Sequence, residues 1–251
     1  MNRWGFFLVA LFAVSMGSLA HQPVDLFDVT IDLHDQSSLQ RGAKIFMNYC
    51  SGCHSLRYLR YNRMARDLGL TTFDGDIDND LLINSLIFTK AQVLDPIEIS
   101  LPAADARQWF GVLPPDLSLS ARKRGARWLY TYLKSFYADE SRPFGSNNLL
   151  IPEVAMPNIF APLIGKMALI PYPNAALAPD VGRLMKVEEG AMSEQQFNQT
   201  LQDLVTFLVY VGEPAKLTRY HIGYFVLIFL CLLLLVVYQL KKTYWRSLNL
   251  K

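Results

Sequence analysis

Cys50-Ser51-Gly52-Cys53-His54 places two thiols two residues apart and an imidazole directly after them. That spacing suits covalent attachment of a haem: each sulfur adds to one vinyl group of a porphyrin, and the next side chain lies under the iron as its proximal ligand. A zinc site would need a second pair of ligands. The only other cysteine, Cys231, sits inside an apolar run. A redox dithiol of the thioredoxin kind wants a strand before the motif, whereas Leu39 to Tyr49 reads as a helix. Haem c, one per chain and held by two thioethers, is the expected cofactor, with Cys50, Cys53 and His54 as its anchors.

An electron-carrying haem needs a second axial ligand, and a thioether opposite histidine favours Fe(II). Met156, Met167, Met185 and Met192 are the candidates. Met47 and Met64 lie too near the proximal side, and His21, His34 and His221 fall in the lead-in or at the membrane. Met156 has the best local setting, because Ala155-Met156-Pro157 lies between Pro152 and Pro162 and prolines stiffen a loop. Filling a core is the competing role for each methionine.

These groups need elements to hold them. Residues 21 to 36 read as an extended lead-in, with Asp25, Asp28, Asp32 and Asp35 among apolar residues. A helix follows from Ser38 to the haem motif, with Gly42, Ile45, Phe46 and Tyr49 on one stripe. Ser193 with Gln196 forms a capping box for a second amphipathic helix through Phe197, Leu201, Leu204, Val205 and Leu208, ending around Gly212-Glu213-Pro214. Gly42 and Phe46 against Phe207 or Tyr210 resemble the crossing of first and last helices in class I cytochromes c. Between them lie roughly 140 residues. Asn79 to Lys90 and Ser118 to Tyr137 read as helices, the second burying Leu119, Trp128, Leu129, Tyr132, Leu133 and Phe136. Leu94 to Arg107 and Asp139 to Asp180 read as proline-rich and irregular. The acidic run Asp74 to Asp80 lacks the glycine and glutamate of an EF-hand and reads as a solvated loop, with Asp78 as an N-cap. Arg57, Arg60, Arg63 and Arg66 recur at helical spacing.

The ends assign compartments. Residues 1–20 run from Arg3 through an apolar stretch to Ser18-Leu19-Ala20, the pattern of a cleaved signal peptide. Ile222 to Leu240 holds about 19 residues without a charge, long enough at ~1.5 Å per residue to cross a ~30 Å hydrocarbon core. Lys241, Lys242, Arg246 and Lys251 follow, which puts the tail in the cytoplasm. The expected division is 1–20 signal, 21–219 periplasmic haem domain, 220–241 anchor and 242–251 cytoplasmic tail, in the inner membrane of a bacterium. The formal charge of +2 mixes compartments: between His21 and Arg219, 19 lysines and arginines face 22 acids, leaving that stretch at −3. Such a domain is no nucleic-acid binder and suits a basic or dipolar redox partner. The fold class is mainly α: a class I cytochrome c-like haem domain with long irregular insertions plus one C-terminal transmembrane helix.

Taken together, Arg41-Gly42, the motif from Cys50 to Leu56, Gly111-Val112-Leu113-Pro114-Pro115-Asp116-Leu117-Ser118, Ala155-Met156-Pro157 and a single basic-ended anchor resemble the cytochrome c1 family in its bacterial form. The resemblance implies that His54 and Met156 are the axial ligands, that Pro114 and Pro115 lie beside the haem, and that Arg124 and Tyr130 contact propionates, with Arg122, Lys123 and Arg127 as competitors. It further implies one-electron transfer from a Rieske iron–sulfur protein to a soluble or tethered cytochrome c. The setting would be a dimeric quinol-oxidising complex with cytochrome b in a lipid bilayer, and the chain would be no enzyme by itself. A tethered monohaem cytochrome delivering electrons directly to a terminal oxidase is the alternative, and a peroxidase with an open distal position a third. Some relatives carry a disulfide in the exported domain, for which no cysteines remain here.

Overall fold

The structure, a computed structural model, describes residues 25–170 and 184–248. The expected signal sequence and His21 lie outside the described residues. From Asp25 the chain is extended and alternates: Phe27, Val29, Ile31 and Leu33 turn toward the core while Asp28 and Asp32 face out. The strip is held along the chain's middle region by Phe27 N–H donating to Thr131 Oγ1 (2.9 Å) and Arg127 donating to the Leu26 carbonyl (2.7 Å).

Asp35 caps helix α1 (Gln36–Ile45) by accepting from the Ser38 amide. A single π turn, Phe46–Cys50, extends it into the haem motif. Strand β1 (Leu56–Arg60) leads into α2 (Tyr61–Asp67), so Arg57 and Arg60 lie on a strand and Arg63 and Arg66 on a helix. The expected single helical arginine face therefore does not form. Helix α3 (Asn79–Ser85) starts at Asp78 as expected but stops five residues short of Lys90. Asp74 and Asp76 in the acidic run ahead of it are exposed, and Asp78 is half-buried. Strand β2 (Pro96–Ile97) pairs antiparallel with β1. Helix α4 (Ala103–Phe110) begins just after Pro102, inside a segment expected to be irregular.

The helix expected over Ser118 to Tyr137 is broken at Gly125. Its φ of +88° is a left-handed conformation, and it separates α5 (Ser120–Arg124) from α6 (Ala126–Lys134). The chain then turns into β3 (Phe136–Ala138), which pairs with β4 (Ser146–Asn148). After the short α7 (Ala161–Ile164), β5 (Gly165–Leu169) pairs with β6 (Leu184–Glu189). Strand β3 replaces the last two residues of the expected helix, Phe136 and Tyr137, and the other three strands occupy stretches read from sequence as irregular or left unassigned.

Helix α8 (Glu194–Gly212) opens on the expected capping box of Ser193 and Gln196 and crosses α1. A methyl group on Gly42 would collide with the Asp203 carbonyl and come within 2.6 Å of the Phe207 Cβ, so only glycine permits the approach. Phe46 and Phe207 meet beside it at 5.9 Å. The crossing is locked by Asp203, which is 2% exposed and accepts from Ser38 Oγ (2.7 Å), Arg41 Nε (2.6 Å) and Gln199 Nε2 (3.0 Å). Helix α9 (Lys216–Leu248) leaves the domain. It is long and apolar enough to cross a membrane, and its apolar stretch is not buried against the other described residues. The observed architecture is the mainly helical, class I cytochrome c-like domain with one apolar C-terminal helix that the pattern predicts.

Candidate functional site

The π turn ends α1 with Ser51 N–H on the Phe46 carbonyl (2.9 Å), and the chain coils once more as Cys53 and His54 donate their amides to the Cys50 carbonyl at 3.0 and 2.8 Å. This coil brings both sulfurs and the imidazole to the wall of one cavity of about 580 Å³. That volume lies within the ~300–1,000 Å³ typical of cofactor pockets. Burial pushes the Cys50 thiol up to about 12 and raises Cys53 as well. Neither environment stabilises a thiolate of the kind zinc selects.

His54 is oriented from behind. Its Nδ1 lies 2.7 Å from the Pro115 carbonyl oxygen, which can only accept, so Nδ1 carries the proton and Nε2 keeps the lone pair a metal needs. Burial lowers the imidazole pKa, against the opposing pull of the Pro115 carbonyl and Asp116. The segment that supplies the carbonyl is itself clamped to β1. Leu117 donates to the Ser55 carbonyl (2.9 Å), Asp116 accepts from the Arg57 amide (2.9 Å), and Ser118 Oγ accepts from the Tyr58 amide (3.2 Å). Pro114 and Pro115 line the cavity and bring no N–H that the apolar wall would leave unpaired. From Pro114 to Ser118 the Leu-Pro-Pro-Asp-Leu-Ser element thus either lines the cavity or ties the segment in place. The roles of Asp116 and Ser118 were missed, although the motif containing them was recognised.

Met156 lines the same cavity. Met167, on β5, and Met185, 52% exposed on β6, do not, and the Met192 sulfur accepts instead from Thr200 (3.7 Å). The Met156 loop is pinned by the side chains of β4. Asn148 Oδ1 accepts from Leu150 N–H (2.9 Å), Asn147 Oδ1 from Glu153 N–H (2.8 Å), and Ser146 Oγ from Asn158 N–H (3.1 Å). All three residues are buried, so β4 acts as a polar template for the loop, alongside the prolines that the sequence pointed to. Nothing in the hydrophobic pattern marks these residues, whose signal is a polar triplet in a buried position.

Arg124 and Lys123 line the cavity, whereas Arg122 lies over Gly212 and Arg127 pairs with Asp28 (3.0 Å). Tyr130 is not brought to the cavity. Its ring meets Phe27 edge-on at 6.4 Å. The aromatic residues of α6 that do line it are Trp128 and Tyr132. These two, assigned from the sequence only to a buried helix face, stack at 5.1 Å with planes 6° apart, and the Arg124 guanidinium covers Trp128 at 4.8 Å. The Tyr132 hydroxyl donates to the Met156 sulfur at 3.4 Å. Burial pushes that hydroxyl up to about 12.

The donor set fits a haem: two thiols at vinyl spacing, an imidazole with a free Nε2, a thioether on the same cavity, apolar walls, and two cations at the rim for propionates. A first and last helix crossing at a glycine over such a cavity define a membrane-anchored cytochrome of class I type. The profile of the Cytochrome C1 family matches residues 26–248, and the chain belongs to that family. It is 46% identical over 226 residues to a cytochrome c1 of Allochromatium vinosum, covering 89% of this chain and 90% of that one. It is 40% identical over 250 residues to a protein of Nitrosomonas europaea named ammonia monooxygenase gamma subunit, covering 99% of this chain and all of the other. A cytochrome c1 of Rhodospirillum rubrum is 27% identical over 243 residues, covering 86% and 84%. The chain is accordingly an electron-transfer subunit of a cytochrome bc1 complex rather than an enzyme by itself, with a haem cofactor and, among the described residues, one helix that serves as a membrane anchor.

Proposed function

We propose that this chain takes single electrons from a Rieske iron–sulfur protein and passes them to a soluble or tethered cytochrome c, within a dimeric complex containing cytochrome b. The bound group supplies a one-electron iron couple. Cys50 and Cys53 would hold it by two thioethers, His54 through Nε2 and Met156 through its sulfur would ligate the iron, and Arg124 with Lys123 would neutralise propionates. Pro115 keeps the His54 ring in one tautomer, and the apolar wall excludes water and so favours the less charged Fe(II) state. The basic end of α9 faces the cytoplasm and the haem domain the periplasm. The observation that carries this reading is the convergence of Cys50, Cys53, His54 and Met156 on one cavity, with Nδ1 of His54 already bonded to a carbonyl.

The name of the Nitrosomonas relative favours one second reading, a subunit of a monooxygenase assembly. Purification from native membranes in mild detergent, with a reduced-minus-oxidised spectrum and identification of the co-purifying chains, separates the two. Stoichiometric b-type haem with cytochrome b and a Rieske protein is expected. Monooxygenase chains in their place would install the second reading, and c-type haem alone or an oxidase would leave a tethered carrier.

A further inference from the structure

We infer that Tyr132 is a positioning residue for the distal ligand: its hydroxyl donates to the Met156 sulfur, aims the thioether and draws electron density from it. The inference rests on the assignment of Met156 as an axial ligand. A thioether sulfur has two lone pairs. With one directed to a metal, the other is available to a donor, and the Tyr132 hydroxyl lies 3.4 Å away.

Both partners are fixed to a common frame. Asn148 donates from Nδ2 to the Tyr132 carbonyl (2.8 Å) and accepts at Oδ1 from Leu150 N–H (2.9 Å), on the loop that carries Met156. One buried amide therefore sets the spacing between the helix that bears the donor and the loop that bears the acceptor. The Tyr132 ring has little freedom of its own. Trp128 stacks on one side of it, and Phe136 meets it edge-on at 5.3 Å. Trp128 is in turn covered by Arg124, so a rigid stack runs from the cationic rim of the cavity to the distal sulfur.

Hydrogen bonding to a ligand atom is one of the levers by which a protein sets a haem potential. A sulfur that shares a lone pair with a hydroxyl donates less to iron, which disfavours Fe(III) and raises the potential. Tyr132→Phe removes the donor and keeps the ring, so the stack and the fold are retained. Redox titration of the c-type haem in the purified complex, alongside the sulfur-to-iron charge-transfer band of the oxidised form, reads the effect. Tyr132→Phe is expected to bind a full complement of haem and to titrate at a lower potential than the parent, by a smaller shift than Met156→Leu produces. Its charge-transfer band is expected to move. Tyr132→Leu, which also removes the ring, is expected to weaken that band by letting the sulfur leave the iron. A potential and band unmoved in Tyr132→Phe, with Met156→Leu lowered, would overturn the inference alone. A potential unmoved in both variants would remove Met156 as ligand, and the inference with it.

Discussion

Pro115 acts on His54 through its carbonyl, not its ring, because the 2.7 Å bond from His54 Nδ1 ends on the main chain. Replacing Pro115 by alanine therefore leaves the tautomer in place, while the new N–H must find a partner against an apolar wall. The cysteines answer a harsher test. A single Cys53→Ala chain should keep its haem on a denaturing gel through Cys50, with a haemochrome spectrum shifted by the unreacted vinyl group. Cys50→Ala/Cys53→Ala should lose it, as read by haem-dependent peroxidase staining. The motif was legible because its chemistry is local, five residues whose spacing is their function. Met156 needed the family's order to rise above three other methionines, since nothing in a sequence states which loop returns to a cavity. Tyr130 was placed by counting from the proline pair, but Trp128 and Tyr132 stand four residues apart on one face of α6 and Tyr130 lies on the other. The helical period separates the residues that line the cavity from Tyr130, which a count by distance does not.

The crossing of α1 and α8 is where the fold's stability and its site meet, since α1 delivers the haem motif directly from its last turn. Gly42→Ala should cost roughly 1–3 kcal/mol through overpacking, because a main-chain carbonyl and the Phe207 Cβ stand where the methyl group must go. Thermal loss of the native haem spectrum in detergent would measure it. The Arg41–Asp203 pair is asymmetric: the Asp203 side chain is 3% exposed and that of Arg41 51%. Arg41→Met strands a buried charge, and should cost roughly 3 kcal/mol, whereas Asp203→Asn frees an arginine that water can solvate and should cost about 1 kcal/mol. Equal losses in the two variants would show that burial of Asp203 does not set the energetics. Both helices were legible because they are long, amphipathic and capped. The hairpin of β5 and β6 was not, since β6 is largely exposed and shows no apolar alternation to read. Helix α4 was hidden by the prolines around it, although Pro102 just before its first turn is a start signal. Asn147 and Asn148 read as loop residues, and their burial became visible only with the β3–β4 pairing that places them under the Met156 loop.

At the scale of the whole molecule the haem domain and its anchor divide the labour. The acidic balance of −3 between His21 and Arg219, increased by bound propionates, should make electron transfer to a basic cytochrome c fall as ionic strength rises, once the Debye length shortens below ~10 Å. Stopped-flow rates across a salt series would show it, and a flat response would point to an apolar docking face. The span itself was legible from one uncharged run, although α9 starts at Lys216 and continues to Leu248, beyond the expected 220–241. Its 33 residues make a rod of about 50 Å at ~1.5 Å per residue, longer than the hydrocarbon core, so the basic tail continues the helix past the membrane face. The hydrophobic core ends at Val211. The ion pair of Glu213 with Arg219 at 2.6 Å is exposed and contributes little to stability. Ending the chain after Pro214 should therefore yield a water-soluble domain with the parent's haem content and potential, but one unable to stay in the membrane. A truncated chain that loses haem, or titrates at a shifted potential while still folded, would mean that α9 shapes the site as well as tethering it.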